Sequence, residues 1–268
     1  MSGLPRAWLA LLRRSIAGMI QYRGEVALWA IWGVIYPAVA LTMWNAAARD
    51  AEGGAIRGFG PSEFATYFLL SMIVQHLTAA WDVHEMGWQV RTGQLSPALL
   101  RPLLPMWGSL SDNIAYKLVT LVILAPIWVL VAWLVQPRFE GGWLDYAAAA
   151  AAVLLGAAIH YLWQYNLALI AFWSTRTNAV GEFWFGGKLL FGGLMAPLPL
   201  LPPLLQGVAA MLPFQWIIGF PIEVAMGRIR GVDVVAGLIC QALWALAAVA
   251  VFRVAWPASL RRYGAVGV

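Results

Sequence analysis

Residues 90–107 read VRTGQLSPALLRPLLPMW, a basic strip punctuated by Gly and Pro and set between two long apolar runs. A chain that only turns back into a membrane needs a few polar residues to do so. Here the whole stretch 83–108 is given over to the connection. It carries Arg91, Gly93, Arg101 and three prolines, with leucines at 95, 99, 100, 103 and 104. Ser96-Pro97 suits a helix start, N-cap followed by first helical position. The strip predicts a structured segment standing outside the bilayer, on the side where basic residues collect, where a soluble partner can dock.

The rest of the chain supplies the bilayer part. Of its 268 residues 62% are hydrophobic and 11% charged, with mean hydropathy +0.75. A soluble domain carries roughly 25% charged residues. There are too few polar side chains here to cover a water-facing surface, so the surrounding solvent is mostly lipid. The net charge of +5 needs no nucleic acid to explain it, because Lys and Arg accumulate at the inner face of membrane proteins. Cys240 is alone, so no internal disulfide forms. No cleavable leader is expected, since the apolar run Trp8–Leu12 is short and meets Arg13 and Arg14 at once.

Six spans near the roughly 20 residues a bilayer requires can be drawn: 26–46, 64–81, 114–135, 146–173, 183–201 and 232–256. With the N-terminus inside, twelve of the seventeen Lys and Arg residues, Arg176 among them, fall at the inner side and five outside. The basic excess therefore puts both termini and segment 83–108 in the cytoplasm. Residues 1–25 hold a further element. On a helix, Arg6, Arg13 and Arg14 gather on one side and Trp8, Leu9, Leu12, Ile16 and Met19 on the other, as in a helix lying in the interface. Residues 196–230 contain six of the fifteen prolines yet stay apolar. Proline interrupts a spanning helix, so a pair of short helices dipping into the outer leaflet and returning is expected. The expected fold is thus an all-α integral membrane domain over 1–268. It has six transmembrane helices, an interfacial helix, a coupling segment and a re-entrant pair before the last span. Ala148, Ala152 and Gly156 form a small-residue face for helix packing.

Catalytic chemistry leaves no trace. His76, His84 and His160 lack neighbours at metal-ligand spacing, so no metal site is expected. No GxSxG, HExxH or CxxC occurs, and the glycines before Lys188 do not complete a phosphate-binding loop. No enzyme activity, cofactor or nucleotide is expected in this chain alone. Polar groups within spans, Gln75, His76, His160 and Gln164, fit either a transport path or hydrogen bonding between helices. No acidic residue lies clearly mid-span, which argues against a self-sufficient secondary transporter. A non-transporting scaffold is the other alternative.

Several strings together resemble a known family. They are the basic start ending at Tyr22-Arg23, VRTGQLSPALLRPLLP at 90–105, AFW at 171–173, LPFQWIIGFP at 212–221 and RRYGAVG at 261–267. The whole chain resembles permease subunits of ABC-2-type exporters, in the branch of bacterial drug and viologen exporters. Where that family often has Asp after glycine-x-leucine, this chain has Ser96. The resemblance implies a permease in the bacterial plasma membrane that pairs with a second permease, identical or paralogous. It also implies two ABC ATP-binding subunits below, which bind ATP and magnesium, and export of a hydrophobic or amphipathic substrate. It makes Arg91, Gly93, Leu95, Leu99, Arg101 and Pro102 the coupling residues, with Leu95 and Leu99 facing the partner. Leu205, Met211 and Phe214 are expected to seal the outer part of a path between two permeases, with His160, Gln164 and Gln75 as further path candidates.

Overall fold

In the computed structural model the described residues are 4–174 and 177–263. Arg176 and the end of the RRYGAVG string, residues 264–267, lie outside them. Among the described residues the regular structure is helical. Five helical stretches are long and apolar enough to cross a membrane: Arg23–Asp50, Pro61–Arg91, Pro105–Val135, Trp143–Phe172 and Val232–Arg262. Stretches of this length and composition are what a multi-pass membrane protein needs.

Helix α1 (Leu4–Gln21) lies along the third of these stretches, with the Ser15 hydroxyl donating to Asp112 at 2.5 Å. Helix α2 (Arg23–Asp50) follows with little interruption and packs on α3 (Pro61–Thr78). The second stretch is not one helix. It stops at Thr78, runs without helical structure over 79–81, and resumes as α4 (Asp82–Arg91). A five-residue helix, α5 (Leu95–Leu99), leads to α6 (Pro105–Val135), and α7 (Trp143–Ala168) returns. Segment 83–108 and both described chain ends share one end of the bundle, called the near end here. Ser15 meets Asp112 there, and Ser96 shares a 2.7 Å hydrogen bond with Tyr263.

The expected span 183–201 is not one continuous helix. Its helix, α8, is Thr177–Phe191, about 22 Å long at 1.5 Å per residue and short of the roughly 30 Å hydrocarbon core. It ends at Gly192 and Gly193. Gly193 has φ +85°, a conformation that favours glycine, and Pro197 and Pro199 follow. The broken backbone is held by side chains from elsewhere. Tyr67 donates to Gly193 O at 2.9 Å and the Trp44 indole to Met195 O at 2.9 Å. Arg57 reaches the carbonyls of 199–201 at 3.2–3.5 Å.

The expected re-entrant pair is three short helices: α9 (Pro203–Ala210), α10 (Pro213–Ile217) and α11 (Gly219–Ala225). Prolines start the first two, where a missing N–H costs nothing. Helices α10 and α11 are seated against α7 and against the last helix, α12 (Val232–Arg262). A Cβ at Gly156 would lie 2.7 Å from Ile217 O, and one at Gly237 would lie 2.1 Å from the Phe220 ring. The Gln241 amide donates to Ala152 O at 2.8 Å and to Trp216 O at 2.6 Å. The small-residue face of α7 therefore receives the short helices.

Candidate functional site

The break at 79–81 organises the near end. A helix end buried without partners for its carbonyls is costly. Here α6 and α7 supply them. His160 Nδ1 donates to Thr78 O at 2.6 Å and Asn113 Nδ2 to Ala79 O at 2.9 Å. The N–H of Val83 donates to Gln164 Oε1 at 3.4 Å. A carbonyl acceptor requires the proton on Nδ1 of His160. Around this core, Lys117 Nζ donates to Asn113 Oδ1 at 2.5 Å, Ser109 donates to Asp82, and the Tyr161 hydroxyl donates to Met106 O at 2.6 Å. His160 and Gln164, expected as path candidates, thus bond the interrupted backbone of α3 and α4. Gln75 is half-buried, and its Oε1 has no hydrogen-bond partner among the described residues.

Helix α4 is fastened sideways as well. A Cβ at Gly87 would sit 2.1 Å from Thr177 Oγ1, and one at Gly181 would sit 2.7 Å from His84 Nε2. These two glycines let α4 and α8 pack in direct contact.

The coupling strip divides by face. Gly93 takes φ +71°, so its turn needs glycine. The expectation that Leu95 faces a partner is corrected. Leu95 is 0% exposed, packed with Val83, Met86, Tyr165 and Phe172, and Leu99 lies against the same cluster. The i, i+4 face of α5 is its inward face. What projects is Leu100, 88% exposed, followed by exposed Arg101 and Pro102, with Arg91 also at the surface. Leu100 was missed because adjacent leucines are indistinguishable until the helix has a side. Ser96 is not the N-cap, which is Gln94. Its hydroxyl instead ties the strip to Tyr263.

At the far end the three expected sealing residues separate. Met211 is 80% exposed, Leu205 half-buried and Phe214 7% exposed. Phe214 lies edge-on to Trp184 with ring centroids 4.8 Å apart, over Gly187, where a Cβ would lie 2.6 Å from the ring. Trp184 stacks in turn on His160 at 6.0 Å. The structure therefore links His160 to Phe214 through α8 and leaves Met211 outside this contact.

The residue overlooked at this end is Glu223 on α11. It is 7% exposed, and its Oε1 has no hydrogen-bond partner among the described residues. Burial pushes its carboxyl up to about 7, against a smaller lowering by Arg228. The signal was a single acid in the otherwise apolar run IIGFPIEVAMG at 217–227. A buried carboxylate thus exists outside the spanning helices. Among the described residues, no group of three His, Cys, Asp or Glu side chains is placed to hold a metal ion.

A family model described as "ABC-2 family transporter protein" matches residues 34–267. No curated protein and no solved structure matches the chain.

Proposed function

The chain belongs to the ABC-2 transporter family, and on that premise we propose that it is the permease of an ATP-driven exporter. Membership makes it a membrane component of an ABC system and not the catalytic one. The observation that carries the finer reading is the seating of segment 83–108. Its apex, Leu100-Arg101-Pro102, projects, while Leu95 anchors the segment in the core. A soluble ATP-binding subunit with an apolar cleft would grip Leu100, with Arg101 as a charged anchor. ATP and magnesium belong to that partner.

The contacts suggest how force travels. A push on α5 reaches α4 through the near-end core. It passes from α4 to α8 at Gly87 and Gly181, and from α8 to the short helices where Phe214 crosses Gly187. Close-packed side chains transmit such displacements because interiors are not freely compressible. The substrate is read as hydrophobic or amphipathic, moving out of the cytoplasm between two permeases, each served by one of two ATPase subunits. In this reading α8 and the irregular stretch 192–201 together make a sixth crossing, both termini are cytoplasmic, α1 lies in the inner interface, and the membrane is a bacterial plasma membrane.

The test is co-purification with the ATP-binding subunit of its own host. Leu100→Asp is expected to insert and fold normally yet lose the partner and ATP-dependent transport. Retention of both by the variant places the interface elsewhere. Cysteines at Gln94 and Phe139 in a Cys240→Ser background are expected to label from opposite faces, and labelling from one face overturns the topology.

A further inference from the structure

At the far end, α10, α11 and α12, with Leu198, Pro199 and Gln206, line an open cavity of about 800 Å³, within the roughly 300–1,000 Å³ of small-molecule sites. Its charged lining is Glu223, Asp233 and Arg228. Arg228 is already engaged: its guanidinium lies 3.6 Å from the centroid of the Phe59 ring and donates to Gly58 O at 3.0 Å. Glu223 Oε1 is buried without a hydrogen-bond donor among the described residues. Beside it, Trp216 and Phe220 meet at 56° with centroids 5.5 Å apart. The Trp216 N–H is bonded to Ala210 O at 3.1 Å, so this ring has no free donor to offer the cavity.

A buried carboxylate without a donor is stabilised by a cation or by its own protonation. Aromatic faces likewise favour a cation. We propose that this cavity is a subsite for a cationic head group on an apolar body, its charge met by Glu223 and its body by the Trp216–Phe220 corner. Two sources share that chemistry, an exported amphipathic cation and the ammonium head of a membrane lipid. The proposal rests on the exporter reading only in calling the first of these cargo.

The probe is tetraphenylphosphonium, bound to the purified full chain in detergent without the ATPase. Glu223→Gln is expected to weaken binding about tenfold or more, the scale of losing a charged partner. Asp233→Asn, exposed at the start of α12, is expected to cost less. Wild-type affinity is expected to rise between about pH 6 and about pH 8 as the carboxyl ionises, and the Gln variant to lose that dependence. The other ionisable groups acting on or near Glu223 are Arg228, Asp233, Tyr67 and the Cys240 thiol of α12.

Displacement by dihexanoyl phosphatidylethanolamine, and not by the phosphatidylglycerol analogue, assigns the head group to a lipid. Displacement by neither assigns it to cargo. Equal binding by wild type and a folded Glu223→Gln variant overturns the subsite. So does no binding by wild type, or the same Glu223 dependence for neutral triphenylphosphine oxide. None of these readouts involves the ATPase, so a failed exporter reading leaves them unchanged.

Discussion

The chain breaks its helices at both ends of the bundle, and the two breaks are completed differently. At 79–81 the carbonyls of Thr78 and Ala79 and the N–H of Val83 are taken by His160, Asn113 and Gln164, all buried. At 192–202 Tyr67 and Trp44 make bonds of 2.9 Å, and the outer carbonyls are shared by Arg57, exposed and at 3.2–3.5 Å, and by the half-buried Gln206, whose Nε2 donates to Pro199 O at 3.2 Å and Leu201 O at 2.7 Å. Close by, Glu223 lies buried, its Oε1 without a hydrogen-bond partner among the described residues. A break satisfied wholly by buried side chains is stiff, because opening it strands polar groups. One held in part by an exposed arginine and a half-buried glutamine opens at lower cost, since water can replace those bonds. In the exporter reading the stiff end meets the ATPase and the yielding end meets the substrate's exit.

The largest effect should come from Leu95→Asp set against Leu100→Asp. The first buries a charge in the near-end core and is expected to cost several kcal/mol, on the order of 3 or more, or to prevent folding. The second, on an 88% exposed side chain, is expected to stay within about 0.5 kcal/mol. Thermal unfolding in detergent reads both, and equal effects would mean that α5 has no inward face.

Next is the latch at 79–81. His160→Ala removes a 2.6 Å bond to a buried carbonyl and leaves space beside Trp184. About 2–4 kcal/mol is expected, combining an unpaired acceptor with a cavity. Gln164→Ala loses a 3.4 Å bond and is expected to cost about 1 kcal/mol. Reversal of that order would show that the break is held from Gln164.

Glu223 sharpens the far side. Its native carboxyl is raised from 4.5 to about 7. Between those values the folded chain therefore holds more protons than the unfolded one, and stability falls as pH rises. The penalty is absent below pH 4.5 and complete above about 7. Glu223→Gln should then stabilise the protein by about 1–3 kcal/mol at pH 8 and change little at pH 4.5. A difference that does not vary with pH would mean that the carboxyl is not desolvated.

The smallest effect is expected from Arg57→Ala. Its three long, exposed bonds should be worth less than about 1 kcal/mol. A loss as large as that of His160→Ala would erase the contrast between the two ends.

The amino-acid sequence by itself determined the solvent and the class of element. Apolar runs in 62% hydrophobic composition leave helices as the form that satisfies its own backbone in lipid. Pro203 and Pro213 start helices as proline chemistry directs, and Gly93 turns the coupling strip. These are local properties, set by each residue's own backbone and its nearest neighbours. Tertiary structure alone decided which leucine of the strip faces in. It also decided that His160 serves Thr78, 82 positions away, and that Phe191 ends a helix expected to run on to 201. The same packing left Glu223 buried, its Oε1 without a hydrogen-bond partner among the described residues. Each of these depends on what another part of the chain brings to the site, because a side chain has a face, a partner or a desolvation cost only once other elements have closed over it.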